Sequence, residues 1–394
     1  MIKIRKINRS NDDRMPATLM ANVLLLALYV LILTSRISSV MAHYCVFVQI
    51  AFASLSHIYM CIRFKHTNSY NKIILILMCY GSVLSLNLLL VGNITVKMII
   101  YAAWIMPSIA MLLYYFKFRT CLLYIIFIFA VAFIVIRWAI VGDSNLVTVN
   151  SRNYLGFYLA IYGLPYYYHC YKEHTTPNVI FPIITLVVSI RAVGRGGIVV
   201  SLILIMGWLI EYINKTKHKF FVGSIIMIIG ICLLLAASDP GFIEKYFSRF
   251  KERGVQSSIR SDLIIEYLDS LSNVSNFLHG TKLDSLPLIR FWGNSTHNSY
   301  LNVHARMGVF AFLYIFMIIK GFMSLFRNRA GFLAFFYIAV LIKAFVDSDF
   351  PGTAVGGDIY VYLLILIAFA NKEARRHSLV RSGCIIGDTK DAES

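Results

Sequence analysis

The chain has 394 residues, 59% hydrophobic and 14% charged, with a formal net charge of +18. A soluble domain carries roughly a quarter charged residues, so the composition excludes an ordinary soluble protein. The apolar residues come in blocks near the ~20 residues that span a bilayer, and the chain reads as an all-α polytopic membrane protein.

The polar stretch 1–16 is expected to be a cytoplasmic N-terminus rather than a cleaved leader, because no small-residue cleavage site follows the first apolar run. Twelve spans are predicted at about 17–35, 40–62, 73–92, 97–115, 121–137, 153–170, 178–190, 196–212, 220–237, 300–319, 331–346 and 358–371. Spans 1–9 occupy 17–237, a loop fills 238–299, spans 10–12 occupy 300–371, and 372–394 form a C-terminal tail.

Outside the long loop, 22 Lys and Arg residues fall on one side of this topology and 6 on the other. The positive-inside rule then puts both termini in the cytoplasm and the loop outside. The net positive charge is therefore topogenic, and no nucleic-acid partner is expected. The seven cysteines are scattered without a CxxC pair, so neither a disulfide framework nor a zinc site is expected.

The loop, Ser238 to Thr296, has helical pattern of its own. Phe242, Tyr246 and Phe250 recur every four residues, and Arg249 and Arg253 share a neighbouring face that is either anion-binding or simply wet. A second helix is expected at about 258–275, with Leu263, Ile264, Tyr267, Leu268 and Leu271 on its apolar side.

Five places can carry chemistry. Arg191 and Arg195 lie in Ser189-Ile-Arg-Ala-Val-Gly-Arg-Gly-Gly197, just before a span. Glycines, a helix N-terminus and arginine suit a phosphate; a tight turn with a snorkelling arginine is the other reading. Arg260 opens the second loop helix among serines, where an anion or only solvent is expected. His297, followed by Asn298, sits where polar loop becomes apolar run. A histidine there can take a proton from a hydroxyl, and Asn298 can orient it or bind a sugar. His304 follows seven residues on and is therefore expected on the same helix face. Arg306 and Lys343 fall inside spans, and intramembrane charge is a functional candidate. Lys343 and Asp347 are spaced to pair.

His297-Asn298, nine residues and then Gly308 resemble the His-[Asn/Ser/Gln]-x9-Gly signature of the O-antigen polymerase and ligase superfamily. His-Asn-Ser-Tyr-Leu301 is similar to forms found in its polymerases. Gly194-Arg-Gly-Gly197 resembles the family's Ser-Arg-Gly segment before a span, and Arg260, Tyr267 and Leu278-His-Gly280 resemble its loop pattern. Ala311 stands where the ligase signature carries Gly, Thr or Tyr, which favours the polymerase.

The resemblance implies a GT-C-like helical fold and a glycosyltransferase of the bacterial inner membrane. It implies a periplasmic reaction on undecaprenyl-pyrophosphate-linked oligosaccharide, without cofactor or metal. Membrane lipid and a chain-length regulator protein are the implied partners. Carried over, His297 is the base and Arg195 and Arg260 bind the pyrophosphate; Arg191, in the same segment as Arg195, is expected to bind it with them. Asn298, His304, Arg249 and Arg253 are secondary contacts. A ligase acting on lipid A-core is the alternative, and a lipid-linked oligosaccharide flippase the third reading.

Overall fold

The computed structural model describes residues 14–35, 39–65, 67–141, 154–192, 194–215, 257–328, 330–345, 347 and 357–368. These are almost wholly helical. The first helices are α1 (Leu19–Thr34), α2 (Ser39–Phe64) and α3 (Asn68–Leu90). Next come α4 (Val96–Ile100) and α5 (Met106–Tyr115), joined by a π-turn at Tyr101–Ile105. Then follow α6 (Thr120–Val141), α7 (Leu155–Lys172), α8 (Ile180–Arg191) and α9 (Arg195–Lys215). The polar region supplies α10 (Ser257–Ser270), α11 (Val274–His279) and α12 (Pro287–Phe291). The chain continues with α13 (Ser299–Met307), α14 (Phe310–Arg327), α15 (Phe332–Ala344) and α16 (Gly357–Ala368).

Among the described residues, six helical stretches are long and apolar enough to cross a membrane: Tyr44–Phe64, Tyr70–Leu90, Val96–Tyr115, Thr120–Ile140, Gly196–Lys215 and Phe310–Arg327. Shorter apolar helices are Leu19–Thr34, Ile180–Arg191, Phe332–Ala344 and Gly357–Ala368. The protein is an all-α membrane protein. The expected run 220–237 lies outside the described residues, as does the first loop helix with Arg249 and Arg253.

The bundle centres on α7. Leu155 through Cys170 are buried without interruption, the mark of a helix enclosed on all sides. Its tyrosines need partners in that setting, and Tyr162 OH donates to the Tyr29 carbonyl at 2.8 Å. Helices α8, α9 and α15 pack around α7. At one end, Arg14 reaches Glu173 Oε1 at 3.2 Å and Lys117 Nζ reaches the same oxygen at 2.8 Å. A short parallel pairing of Met15–Pro16 with Phe116–Lys117 runs beside them.

The apolar run expected as one span at 300–319 is two helices. Gly308 breaks it at φ 54°, a conformation that suits glycine. The first piece, α13, carries Asn302, His304 and Arg306, all buried. Those polar side chains are met by protein, whereas α14 shows Phe312, Leu313 and Phe316 on its exposed side. The expected loop helix also ends early, at Ser270, and the chain restarts as α11.

A small second core forms from Leu263, Tyr267, Leu283, Ile289 and Ala305. It joins the loop helices to α13. Of the expected apolar side of α10, Leu263 and Tyr267 are fully buried, whereas Leu268 is exposed. The loop unit is also held by α3 and the turn after it. Asn87 Nδ2 donates to the His279 carbonyl at 2.9 Å. Asn93 donates to the Ala305 carbonyl at 2.8 Å and accepts from Leu283 N at 2.8 Å.

Candidate functional site

The site is built where four helix ends meet: the starts of α7, α9 and α13 and the end of α15. Close approach of these ends requires small residues. A Cβ on Gly197 would lie 3.2 Å from Gly156 Cα and 2.7 Å from Ser189 Oγ, so α7, α8 and α9 touch through Gly156, Ser189 and Gly197. The glycine turn thus has a packing task. Gly196 faces the polar side of the junction, its Cβ direction pointing 3.5 Å from both Asp347 Oδ2 and Lys343 Cε.

Lys343 and Asp347 pair at 3.1 Å, as their spacing suggests. Lys343 is almost fully enclosed, its ammonium 4.4 Å from the Tyr154 ring centre and 4.3 Å from that of Phe157. Both rings stabilise a desolvated cation through their electron-rich faces. Tyr154 OH donates to Asp347 Oδ1 at 3.3 Å. Ser299 Oγ donates to the Asp347 carbonyl at 2.6 Å, fixing the start of α13 to this cluster.

His297 lies in the turn that enters α13. Asn298 is the N-cap: its Oδ1 accepts from Tyr300 N at 2.9 Å and Leu301 N at 3.1 Å, satisfying amides that a helix start leaves open. The Asn298 side-chain oxygen is therefore committed to the helix. His297 itself has φ 51°, a left-handed conformation that histidine adopts more readily than most residues. Local bonds hold it there. Ser295 Oγ accepts from His297 N at 3.1 Å, and Thr296 Oγ1 donates to the Asn298 carbonyl at 3.0 Å.

Burial holds the His297 imidazole below the usual histidine range. The Arg260 guanidinium pushes in the same direction and Asp347 opposes it. The histidine is therefore neutral at pH 7, the form that accepts a proton. Its Nδ1 is buried and has no hydrogen-bond partner among the described residues.

Arg260, on the first turn of α10, is exposed and near enough to act on His297 through its charge. Thus Arg260, His297, Lys343, Asp347 and the α9 glycine turn converge from distant parts of the sequence. Arg195 is the first residue of α9; its side chain lies outside the described part. Arg191 is exposed and stacks over the Trp138 ring at 5.6 Å, which engages it with α6.

His304 is elsewhere. Because α13 starts at Ser299, His297 is not on that helix and the two histidines share no helix face. His304 Nδ1 bonds Tyr267 OH at 2.8 Å, and its ring lies between Phe277 and Phe312. It belongs to the seam between α13 and the loop helices. Arg306, also on α13, is buried, with Asp358 near enough to act on it through its charge.

The sequence offered a signal for the Asn298 cap, since Asn-Ser ahead of a helix is a strong start. It offered none for Tyr154, Asn87 or Asn93, which become polar partners only when distant segments meet. No protein-family model, curated protein or solved structure matches the chain.

Proposed function

We propose that the protein is a membrane glycosyltransferase that joins undecaprenyl-pyrophosphate-linked repeat units, a polymerase of O-antigen or a related surface polysaccharide. In this reading the fold is GT-C-like with twelve spans. Both termini are in the cytoplasm, and the loop unit faces the periplasm of the bacterial inner membrane. The observation that carries it is a half-buried His297 within reach of the charges of Arg260 and Asp347, with Asp347 next to the glycine turn that opens α9.

The chemistry follows from those groups. A sugar hydroxyl of the acceptor attacks the anomeric carbon of the donor. The new bond is carbon to hydroxyl oxygen, and the bond broken joins that carbon to pyrophosphate. His297 takes the hydroxyl proton. Arg260 and Arg195 bind the departing pyrophosphate, whose developing charge fixed cations stabilise. Arginine suits this through its planar, paired donors. Asp347 faces the same junction and favours the protonated imidazole that forms when His297 takes the proton.

The test is the lipopolysaccharide banding of a strain lacking this chain. Loss of the ladder with one repeat unit retained on the core is the expected result. Complete loss of O-antigen from the core, with lipid-linked polymer accumulating, assigns the chain to ligation. An unchanged ladder overturns both.

A further inference from the structure

Helix α11 is only six residues long, yet it is amphipathic. Val274, Phe277 and Leu278 recur at helical spacing and are 70%, 39% and 42% exposed. Ser275, Asn276 and His279 take the other positions. Among the described residues, the His304 and Phe312 rings meet one edge of Phe277, and the rest of the apolar face is exposed.

That face is continuous with a membrane span. Val309, at the head of α14, donates its N–H to the Leu278 carbonyl at 3.0 Å. Gly308 brings the two backbones together, since a Cβ there would meet the Leu278 carbonyl. The Phe277 and Phe312 rings are 6.1 Å apart. Phe312, Leu313 and Phe316 of α14 are exposed in turn, on a helix apolar enough to cross a bilayer. The exposed apolar residues therefore run from the side of α14 over its end onto α11, with the His304 ring buried beneath the Phe277–Phe312 step.

We infer that α11 is an interfacial anchor whose apolar face rests in the boundary between headgroups and acyl chains of the lipid bilayer. An amphipathic helix in that position buries its apolar face ~5–10 Å into the boundary. Its polar residues then face water. Asn87 and Asn93 fix the same loop unit to the end of α3, so the anchor sets the height of α13 and of the His297 turn above the bilayer. The inference requires only that α14 spans the membrane and is independent of the glycosyltransferase reading.

The experiment uses the full chain in proteoliposomes, with the four native tryptophans replaced by phenylalanine. A single tryptophan is then placed by Leu278→Trp, by Val274→Trp or, on the polar face, by Ser275→Trp. Tryptophans at 278 and 274 are expected to emit at shorter wavelength than that at 275. They should be quenched more by lipids brominated near the headgroup end of the acyl chain than by lipids brominated near its tail. The tryptophan at 275 should instead be quenched by aqueous iodide. Equal iodide quenching at all three positions overturns the inference. So does short-wavelength emission at 278 without quenching by brominated lipid, which would mean that protein, a second copy or another chain, covers the face.

Discussion

Ser299 and Asp347, 48 residues apart, are joined by a 2.6 Å bond from the serine hydroxyl to the aspartate carbonyl. That bond ties the helix His297 leads into to the end of α15, where Lys343 holds the Asp347 side chain at 3.1 Å. The junction therefore depends on a nearly buried ammonium. Removing one partner of a fully buried pair costs about 3–5 kcal/mol. Asp347 is partly exposed, so Lys343→Met should cost less than that. The expected result is a lower melting temperature in detergent and reduced turnover. An unchanged melting temperature would mean that the pair does not hold the junction.

The pH dependence has a definite sign. Burial and Arg260 lower the His297 pKa below its ordinary value of about 6.5. The proton-accepting form therefore persists as pH falls through 6.5 and is lost only below it. The acidic limb of the activity profile should therefore have its midpoint below pH 6.5. Asp347 favours the charged imidazole, so Asp347→Asn should move this acidic limb to still lower pH. A pH–rate series on both forms checks it, and a limb that moves upward contradicts the arrangement.

Much of the bundle was legible because apolar blocks are written contiguously. The run expected at 73–92 is Asn68–Leu90, and that at 97–115 is Val96–Tyr115. The π-turn inside the latter was not legible, since it alters hydrogen bonding without altering hydropathy. The break at Gly308 was hidden for a related reason: a window over 300–319 averages a protein-enclosed polar helix with a lipid-facing one. His297 and Arg260 stood out as residue types, and the Lys343–Asp347 pair follows from local spacing. Their convergence with Tyr154 and Gly196 depends on how α7, α9, α13 and α15 pack, which no local pattern records.

Gly308 offers a contrast with Gly92. Both have positive φ, at 54° and 77°. Among the described residues, a Cβ on Gly92 would meet nothing within 4 Å, whereas one on Gly308 would collide with the Leu278 backbone. Gly92→Ala should cost about 1–2 kcal/mol, the strain of a left-handed residue. Gly308→Ala should cost more and also unseat the loop unit, seen as faster proteolysis between α10 and α12. Equal effects of the two substitutions would show that the Leu278 contact is unimportant.

The loop unit carries a topological prediction. Ser285 is exposed and lies between α11 and α12. Ser285→Cys, in a background without the native cysteines, should react with an impermeant maleimide in intact cells with a permeabilised outer membrane. Labelling only after the inner membrane is lysed would place the unit in the cytoplasm and reverse the topology.

The two histidines separate catalysis from support. His297 lies at the junction near Arg260, its pKa lowered, with a ring nitrogen that is unpartnered among the described residues. His304 is committed to Tyr267 inside the seam between α13 and the loop helices. His297→Ala should reduce turnover by ~10²–10⁴-fold, the contribution of a positioned proton acceptor, with little change in melting temperature. His304→Ala removes a packed ring and one partner of the Tyr267 hydroxyl. Its cost is a stability loss toward the low end of ~1–3 kcal/mol, because Thr281 also bonds that hydroxyl. Turnover by the folded fraction should remain. The assay uses purified protein, synthetic undecaprenyl-linked donor and EDTA, with melting temperature recorded in parallel. Normal turnover in His297→Ala together with an inactive but stably folded His304→Ala would exchange the two roles. Loss of wild-type turnover in EDTA would overturn the metal-free mechanism and direct attention to Asp347.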